Sequence, residues 1–599
     1  MPRRLETSSA KSPDAGSLGN ASAVFSKGFV IAIAARGLLS PNAVILAVLL
    51  LLFLPAAAAA TGPPSAQAVK RFQDAVAQWK QGHPEAAEPV LKELCSEYPD
   101  EPAFQDALGT LYSLQRQPRL ATPYLEQAAR LKPSADANAK LAENYAELGR
   151  SREAEALFQK ALALEPGNIG ANMGLASLKM DRDAYAAAAP LLERVVRARP
   201  ADPQPAYLLA VCYSSLGRAA QARRVLLNLP EKARDREEIQ LLLGSASLAL
   251  HRQDEARAYF ERAFQRNPAS VPAAANLGGL LVAAGELERG LKLLEAAWQS
   301  DHTSYLAGYN LALAYRTKGD FAAARNVLTS LLAQGEKAEL YSLLGEVEIE
   351  LRDGPAALDH LQRAVKLEPG EADLFELGYA LLQFWKLNEA VEVLSRGTAQ
   401  FPSSARLWMA LGTAYFAQDR NQDAIDAYLR ATQLGDDPRA YRFLAEVYQA
   451  ANASRSDVAA RFHHYRLTHP NDAWANLCDG YGLLRDGQPE KALPLLERAV
   501  QLAPGLAAAH FELGKLYSQQ GRREEALRAY EAAVKADPGH PEAWYRLGQA
   551  YMRAGRREDA EKALARHEEL RRQQAAGIEQ RLRGAIELLN DSKRKQDQP

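Results

Sequence analysis

The chain has 599 residues, which at roughly 150 residues per domain would make about four domains and exceeds what one compact core supports. With 47% hydrophobic and 24% charged residues it is neither a disordered polymer nor a collagen-like chain. A net charge of −1 gives no basic field for nucleic acid, and three scattered cysteines (Cys95, Cys212, Cys478) match no metal or redox spacing.

Residues 1–60 read as a leader. Arg3, Arg4, Lys11, Lys27 and Arg36 outweigh Glu6 and Asp14, which leaves +3 here and −4 on the rest of the chain. An apolar run, Ala43–Leu54, precedes Pro55, five alanines and Thr61-Gly62-Pro63-Pro64. A basic stretch, a short apolar core and an Ala-x-Ala ending at Ala58–Ala60 are the parts of a secretory signal. The core falls short of the ~20 apolar residues that span a bilayer. Counting the alanines lengthens it, so an uncleaved anchor through residues 43–60 is the second reading. Both imply export across the cytoplasmic membrane, to the periplasm or beyond. The 40 residues before the core are long for a signal, as an upstream assignment of the translation start would make them. Residues 61–67 read as a linker.

The body is periodic. Small residues recur at Gly244, Gly278, Ala312, Gly345, Gly378, Gly412 and Ala445, in steps of 33 or 34. A second series follows twelve residues behind each: Ala256, Gly290, Ala324, Ala357, Ala390, Ala424. Prolines close repeats at Pro99, Pro133, Pro166, Pro200, Pro504 and Pro538. Each repeat reads as two short amphipathic helices and a tight turn. In the eleventh, Trp408, Leu411, Gly412 and Tyr415 share one helical face, Asp419-Arg420-Asn421 turn the chain, and Ala424, Tyr428 and Ala431 form the second stripe. Small residues at 412 and 424 let the helices approach. Gly149, Gly217, Gly285, Gly319, Gly521 and Gly555 fall in turns, where a positive φ costs glycine little. The closing proline ends the second helix.

This pattern resembles the tetratricopeptide repeat: Trp, Leu-Gly, Tyr, Gly, Ala, an aromatic, Ala and Pro over about 34 residues. Leu513-Gly514, Tyr517, Gly521, Ala526, Tyr530, Ala533 and Pro538 match it nearly completely, as do Trp544, Leu547-Gly548, Tyr551, Gly555 and Ala560. About fifteen repeats fit over residues 68–571. The resemblance implies an all-α fold, a right-handed α-solenoid or superhelix of helix-turn-helix repeats, acting as a protein-binding scaffold.

Departures are local. The repeat after Gly217 is cut short at Pro230 and followed by the charged stretch Glu231–Glu238. Register slips by one or two residues between Asn452 and Gly487, around Phe462-His463-His464 and Trp474. Gln78 replaces the consensus tyrosine of the first repeat, which suits a cap. After Ala560 the helix is expected to run on through His567–Leu570. Residues 572–599 read as a capping helix, Ile578–Leu589, and a disordered tail from Asp591 to Pro599.

No phosphate loop, nucleophile elbow or His-Glu-x-x-His occurs, and no stretch outside the repeats has room for a catalytic domain. The expectation is no enzyme, no cofactor and no metal. His463 and His464 point to different helix faces and read, with His469, as surface residues beside a loop. The cysteines read as small apolar residues on helix faces. Runs such as Arg522-Arg523-Glu524-Glu525 and Arg556-Arg557-Glu558-Asp559 read as solvated turn edges that start the second helix with acidic residues.

The resemblance further implies that the first helix of each pair lines the concave face through its second, fifth, ninth and twelfth positions. Those positions hold Phe375, Tyr379, Met409 and Phe416, with Tyr207 and Tyr309 earlier and Phe511 and Tyr545 later. Aromatic residues and Met suit an extended or helical peptide. The competing reading is that each packs against a neighbouring repeat. No repeat carries the Lys and Asn of the family's carboxylate clamp. A ladder of asparagines that holds peptide backbones in glycosyltransferase relatives has two rungs here, Asn276 and Asn310. The reading is a protein or peptide partner in a multivalent groove, with no nucleic acid. A structural subunit of a bacterial envelope, export or polysaccharide-secretion assembly, and the regulatory or carrier arm of a separate enzyme, remain as alternatives.

Overall fold

The structure, a computed structural model, describes residues 62–451 and 454–574. The leader, the expected capping helix and the tail lie outside them. Among the described residues there are 31 helices and no strand. Thirty of the helices form fifteen consecutive pairs, as the repeat spacing implies, from Ala66–Lys80 with Pro84–Glu97 to Pro541–Arg553 with Arg557–Gln574. The array starts two residues before Ala68 because Ser65 caps the first helix, its hydroxyl accepting from the Ala68 N–H at 3.1 Å. Its last helix runs on past Leu570 to Gln574.

The chain divides at Pro230 into two compact units. The second helix there, Ala219–Leu227, has 9 residues where other second helices have 12–18, and a single turn, Glu231–Arg234, follows it. The truncation visible at Pro230 in the sequence is thus where the structure breaks. The first unit holds five pairs, the second ten.

Within a pair the helices touch because the eighth position of the first carries no bulk. A Cβ at Gly244 would lie 2.5 Å from the Phe260 ring, at Gly345 2.5 Å from Leu361, at Gly412 2.8 Å from Tyr428 and at Gly514 2.6 Å from Tyr530. Each partner stands sixteen residues downstream, so one close approach recurs along the array. Turns are left-handed at Gly149, Gly217, Gly285, Gly319, Gly521 and Gly555, as expected, with φ between 70° and 83°. The corresponding turns of six other pairs place Arg116, Asp183, His251, Arg352, Trp385 and Asp419 at φ 55–61°, a region that costs a residue with a Cβ about 1 kcal/mol or more. Second helices close where proline forbids continuation: Pro84–Glu97, Pro118–Leu131 and Pro489–Leu502 each stop two residues before one.

Successive pairs are joined by hydrogen bonds that the repeat spacing does not announce. The fourth residue of many first helices reaches back six positions to a carbonyl at the close of the preceding pair. Trp408 Nε1 donates to Pro402 O at 3.0 Å, Trp544 Nε1 to Pro538 O at 2.9 Å, and Asn476 Nδ2 to Pro470 O at 3.0 Å. The consensus tyrosine donates to a glutamate twenty residues upstream, on the previous second helix: Tyr213 to Glu193 at 2.6 Å, Tyr315 to Glu295 at 3.0 Å, Tyr517 to Glu497 at 2.9 Å and Tyr551 to Glu531 at 2.8 Å. Arg522 then lies 4.2 Å over the Tyr517 ring while its Nε donates to Glu525 at 2.7 Å, and Arg556 repeats this with Tyr551 and Asp559. The Arg-Arg-Glu-Glu runs are therefore partly consumed as covers on tyrosines.

Candidate partner-binding wall

The two helices of a pair are not equivalent toward their neighbours. In the second unit, first helices pack directly on one another: Val271–Ala283 on Tyr305–Lys318, Ala338–Glu350 on Glu371–Gln383, the latter on Ala405–Ala417, and Pro438–Ala451 on Ala473–Arg485. Among second helices, extended contact of that kind joins only Asn421–Leu434 and Ser456–Thr468. Closer spacing along the first helices makes their face the inner one, and the side chains left open there form the candidate site.

Most of the aromatic group expected on that wall is not open. Phe375 is fully buried, and Tyr379 and Met409 are each 3% exposed. The rings of Phe375 and Tyr379 stack at 6.1 Å, and the Arg406 guanidinium from the next first helix closes over Phe375 at 4.4 Å. Burial of this cluster satisfies the hydrophobic side chains within the protein, so they offer a partner no surface. Phe511 is likewise buried. Phe416 is half-buried at the edge of the same core. Tyr309 is half-buried and stacked on Tyr305 at 5.8 Å; Tyr545 rests 5.1 Å from His567 of the last helix; Tyr207 is half-buried in the first unit. The asparagine rungs are spent on the chain itself: Asn276 Nδ2 donates to Pro272 O at 2.8 Å in its own helix, and Asn310 Nδ2 to Ala275 O at 3.1 Å one pair upstream.

Beside Phe416 of pair eleven, half-buried side chains at these positions lie on the first helices of pairs twelve and thirteen. Arg442, in the fifth position of its helix, places its guanidinium 4.7 Å from the ring of Trp474, in the second position of the next first helix. Both side chains are half-buried. Glu446, one turn beyond Arg442, reaches solvent, yet the protein around it pushes its carboxyl pKa up, with Arg442 opposing. Arg485 Nη2 donates to Gln449 O and Oε1, both at 3.2 Å, and ties the far ends of the two helices together. Arg442 and Trp474 occupy two of the searched positions but escape notice in the sequence, Arg442 because it is not aromatic and Trp474 because it lies where the register slips.

All three cysteines are buried and free; burial pushes the Cys95 thiol up to about 12 and that of Cys212 up to about 11. Protonated thiols at neutral pH are neither nucleophiles nor ligands. Among the described residues no group of three or more His, Cys, Asp and Glu is arranged to hold a metal ion. His463 is exposed on its helix, as expected, and in addition its Nδ1 lies 3.1 Å from Asp479, a nearly fully buried carboxylate that Arg466 also contacts. The histidine thus helps to hold a buried charge.

Fold and wall together define a helical-repeat scaffold for protein–protein interaction. Family models described as tetratricopeptide repeat match residues 107–169, 375–440 and 511–575, and residues 179–246, 247–308, 281–347 and 483–530, together more than half of the chain. The chain belongs to the tetratricopeptide repeat family. It is 23% identical over 290 residues to the protein CTR9 homolog of Arabidopsis thaliana, covering 46% of this chain and 26% of that one. It is 26% identical over 223 residues to the human protein O-mannosyl-transferase TMTC1, covering 35% and 25%. The chain thus spans about a quarter of the length of these curated relatives. Similar solved structures include YrrB, described as a TPR protein with an unusual peptide-binding site, at 26% identity and a TM-score of 0.27 over 32% of this chain and 97% of that one. Another is the APC/C hetero-tetramer Cut9–Hcn1, at 16% identity and a TM-score of 0.33 over 78% and 98%.

Proposed function

We propose that this protein holds a peptide segment of a partner protein against the first-helix wall of its second unit, chiefly through Phe416, Arg442 and Trp474. The observation that carries the reading is that these three remain half-buried at the inner positions while Phe375, Tyr379 and Met409 are packed away. A half-buried aromatic side chain with an arginine within cation–π distance gains by excluding water with a ligand. A rigid array of pairs keeps the ordering cost of that contact low. Affinity capture with the full chain tests it. Substituting Phe416, Arg442 and Trp474 by Ala should abolish retention of partner proteins while far-UV circular dichroism stays helical; equal retention by the variant would sink the reading.

The setting we propose is the bacterial envelope, with residues 1–60 directing export and residues 43–60 serving as a tether if retained. The basic stretch, apolar core and Ala-x-Ala ending support this. Mass measurement of the native amino terminus decides between cleavage after Ala60 and retention, and recovery of the intact chain in the cytoplasmic fraction alone contradicts export.

A further inference from the structure

Arg442 stands apart from the other cations of its wall. Arg439 Nε donates to Asp437 at 2.9 Å, Lys515 is 2.8 Å from Glu512, and Arg546 is 3.0 Å from Glu542. Among the described residues no carboxylate comes within ion-pair distance of Arg442, and its Nε is buried without a hydrogen-bond partner. The contact with Trp474 brings the guanidinium 4.7 Å from the ring centroid, and the planar N–H fork of an arginine is the donor set that suits a carboxylate. The buried Nε is out of a ligand's reach, whereas the terminal Nη groups are not buried and are what an arriving carboxylate can meet. Glu446, beside this recess, is exposed, and the protein around it pushes its carboxyl pKa up while Arg442 draws it down.

Resting on the groove reading above, we infer that this recess takes an acidic side chain, Asp or Glu, of the bound peptide on the guanidinium edge of Arg442, with Trp474 as the apolar floor beside it. A nucleic acid is the poorer fit. A phosphodiester backbone needs a succession of unanswered cations, whereas Arg439, Lys515 and Arg546 already face carboxylates and the chain as a whole carries −1.

Selection of random short peptides on the immobilised full chain tests this, with the same selection on Arg442→Gln and on Trp474→Ala, each checked for an unchanged melting curve. The wild type should enrich peptides with a recurrent Asp or Glu, and Arg442→Gln should lose that preference while still enriching apolar residues. A fluorescent peptide from the enriched set should bind at least about tenfold more weakly when its acidic residue becomes Asn or Gln. Neutral or basic peptides enriched equally on wild type and Arg442→Gln, but lost on Trp474→Ala, would overturn the acidic preference and leave the groove reading standing. No enrichment on any of the three proteins would overturn both. Tighter binding of a fluorescent oligouridine than of the acidic peptide would also overturn the inference.

Discussion

Gly412 marks the eleventh crossing because the ring of Tyr428, fully buried and bonded to Thr413 Oγ1 at 2.9 Å, occupies the space a Cβ would need. Gly412→Ala should lower the melting midpoint by an amount equivalent to roughly 1–3 kcal/mol of overpacking; an unchanged thermal melt would show that the ring has room to give. Trp385 poses the opposite case. It holds φ 61° at a turn where other pairs use glycine, and it is 41% exposed. Trp385→Gly should raise stability by up to about 1 kcal/mol by relieving that conformation, and a loss in urea denaturation would show that its packing outweighs the strain. Glu348 is a third local conflict. It is 3% exposed and 2.7 Å from His360 Nδ1; burial raises its pKa, and the hydrogen bond to His360 opposes the shift. An acid held more tightly protonated in the fold favours folding at low pH and loses that contribution as pH rises from the ordinary glutamate range through the raised value. The melting midpoint of Glu348→Gln relative to wild type should therefore grow with pH across the weakly acidic range and then level off. A difference that shrinks or stays flat would refute the assignment.

Each pair is legible in the sequence; the joints between pairs are not. Small residues at 33- and 34-residue steps and the closing prolines locate the helices, because close packing and chain termination leave few substitutes. The tyrosine latch escapes the same reading because its acceptor lies twenty residues upstream in another repeat, where a glutamate looks like surface. Tyr517→Phe keeps the ring under Arg522 but removes the bond to Glu497. It should cost about 0.5–1.5 kcal/mol, with amide exchange rising at the joint between Pro489–Leu502 and Ala507–Gln519 and not in distant pairs. Exchange rising uniformly along the array would mean the latch is not local. Most of the expected aromatic grip is packed away for a related reason. Residue type announces that Phe375 is large and apolar, but whether it faces a ligand depends on what the next pair lays over it, here Arg406. Turns held by Arg116, Asp183 or Trp385 are also invisible, since sequence reading looks for glycine where φ is positive.

For the whole molecule, length counts pairs. The fifteen that the spacing implies are all present, divided at the truncated helix before Pro230 into units of five and ten. Partner chemistry is concentrated in a few open residues of the larger unit, which periodicity alone does not single out because it is the same in every repeat. The most direct measurement is hydrogen exchange on the full chain with and without its captured partner. Partner binding should slow exchange in the first helices Ala405–Ala417, Pro438–Ala451 and Ala473–Arg485 while leaving their paired second helices, Asn421–Leu434, Ser456–Thr468 and Pro489–Leu502, unchanged. Protection confined to second helices, or to the first unit, would contradict the inner wall as the binding surface.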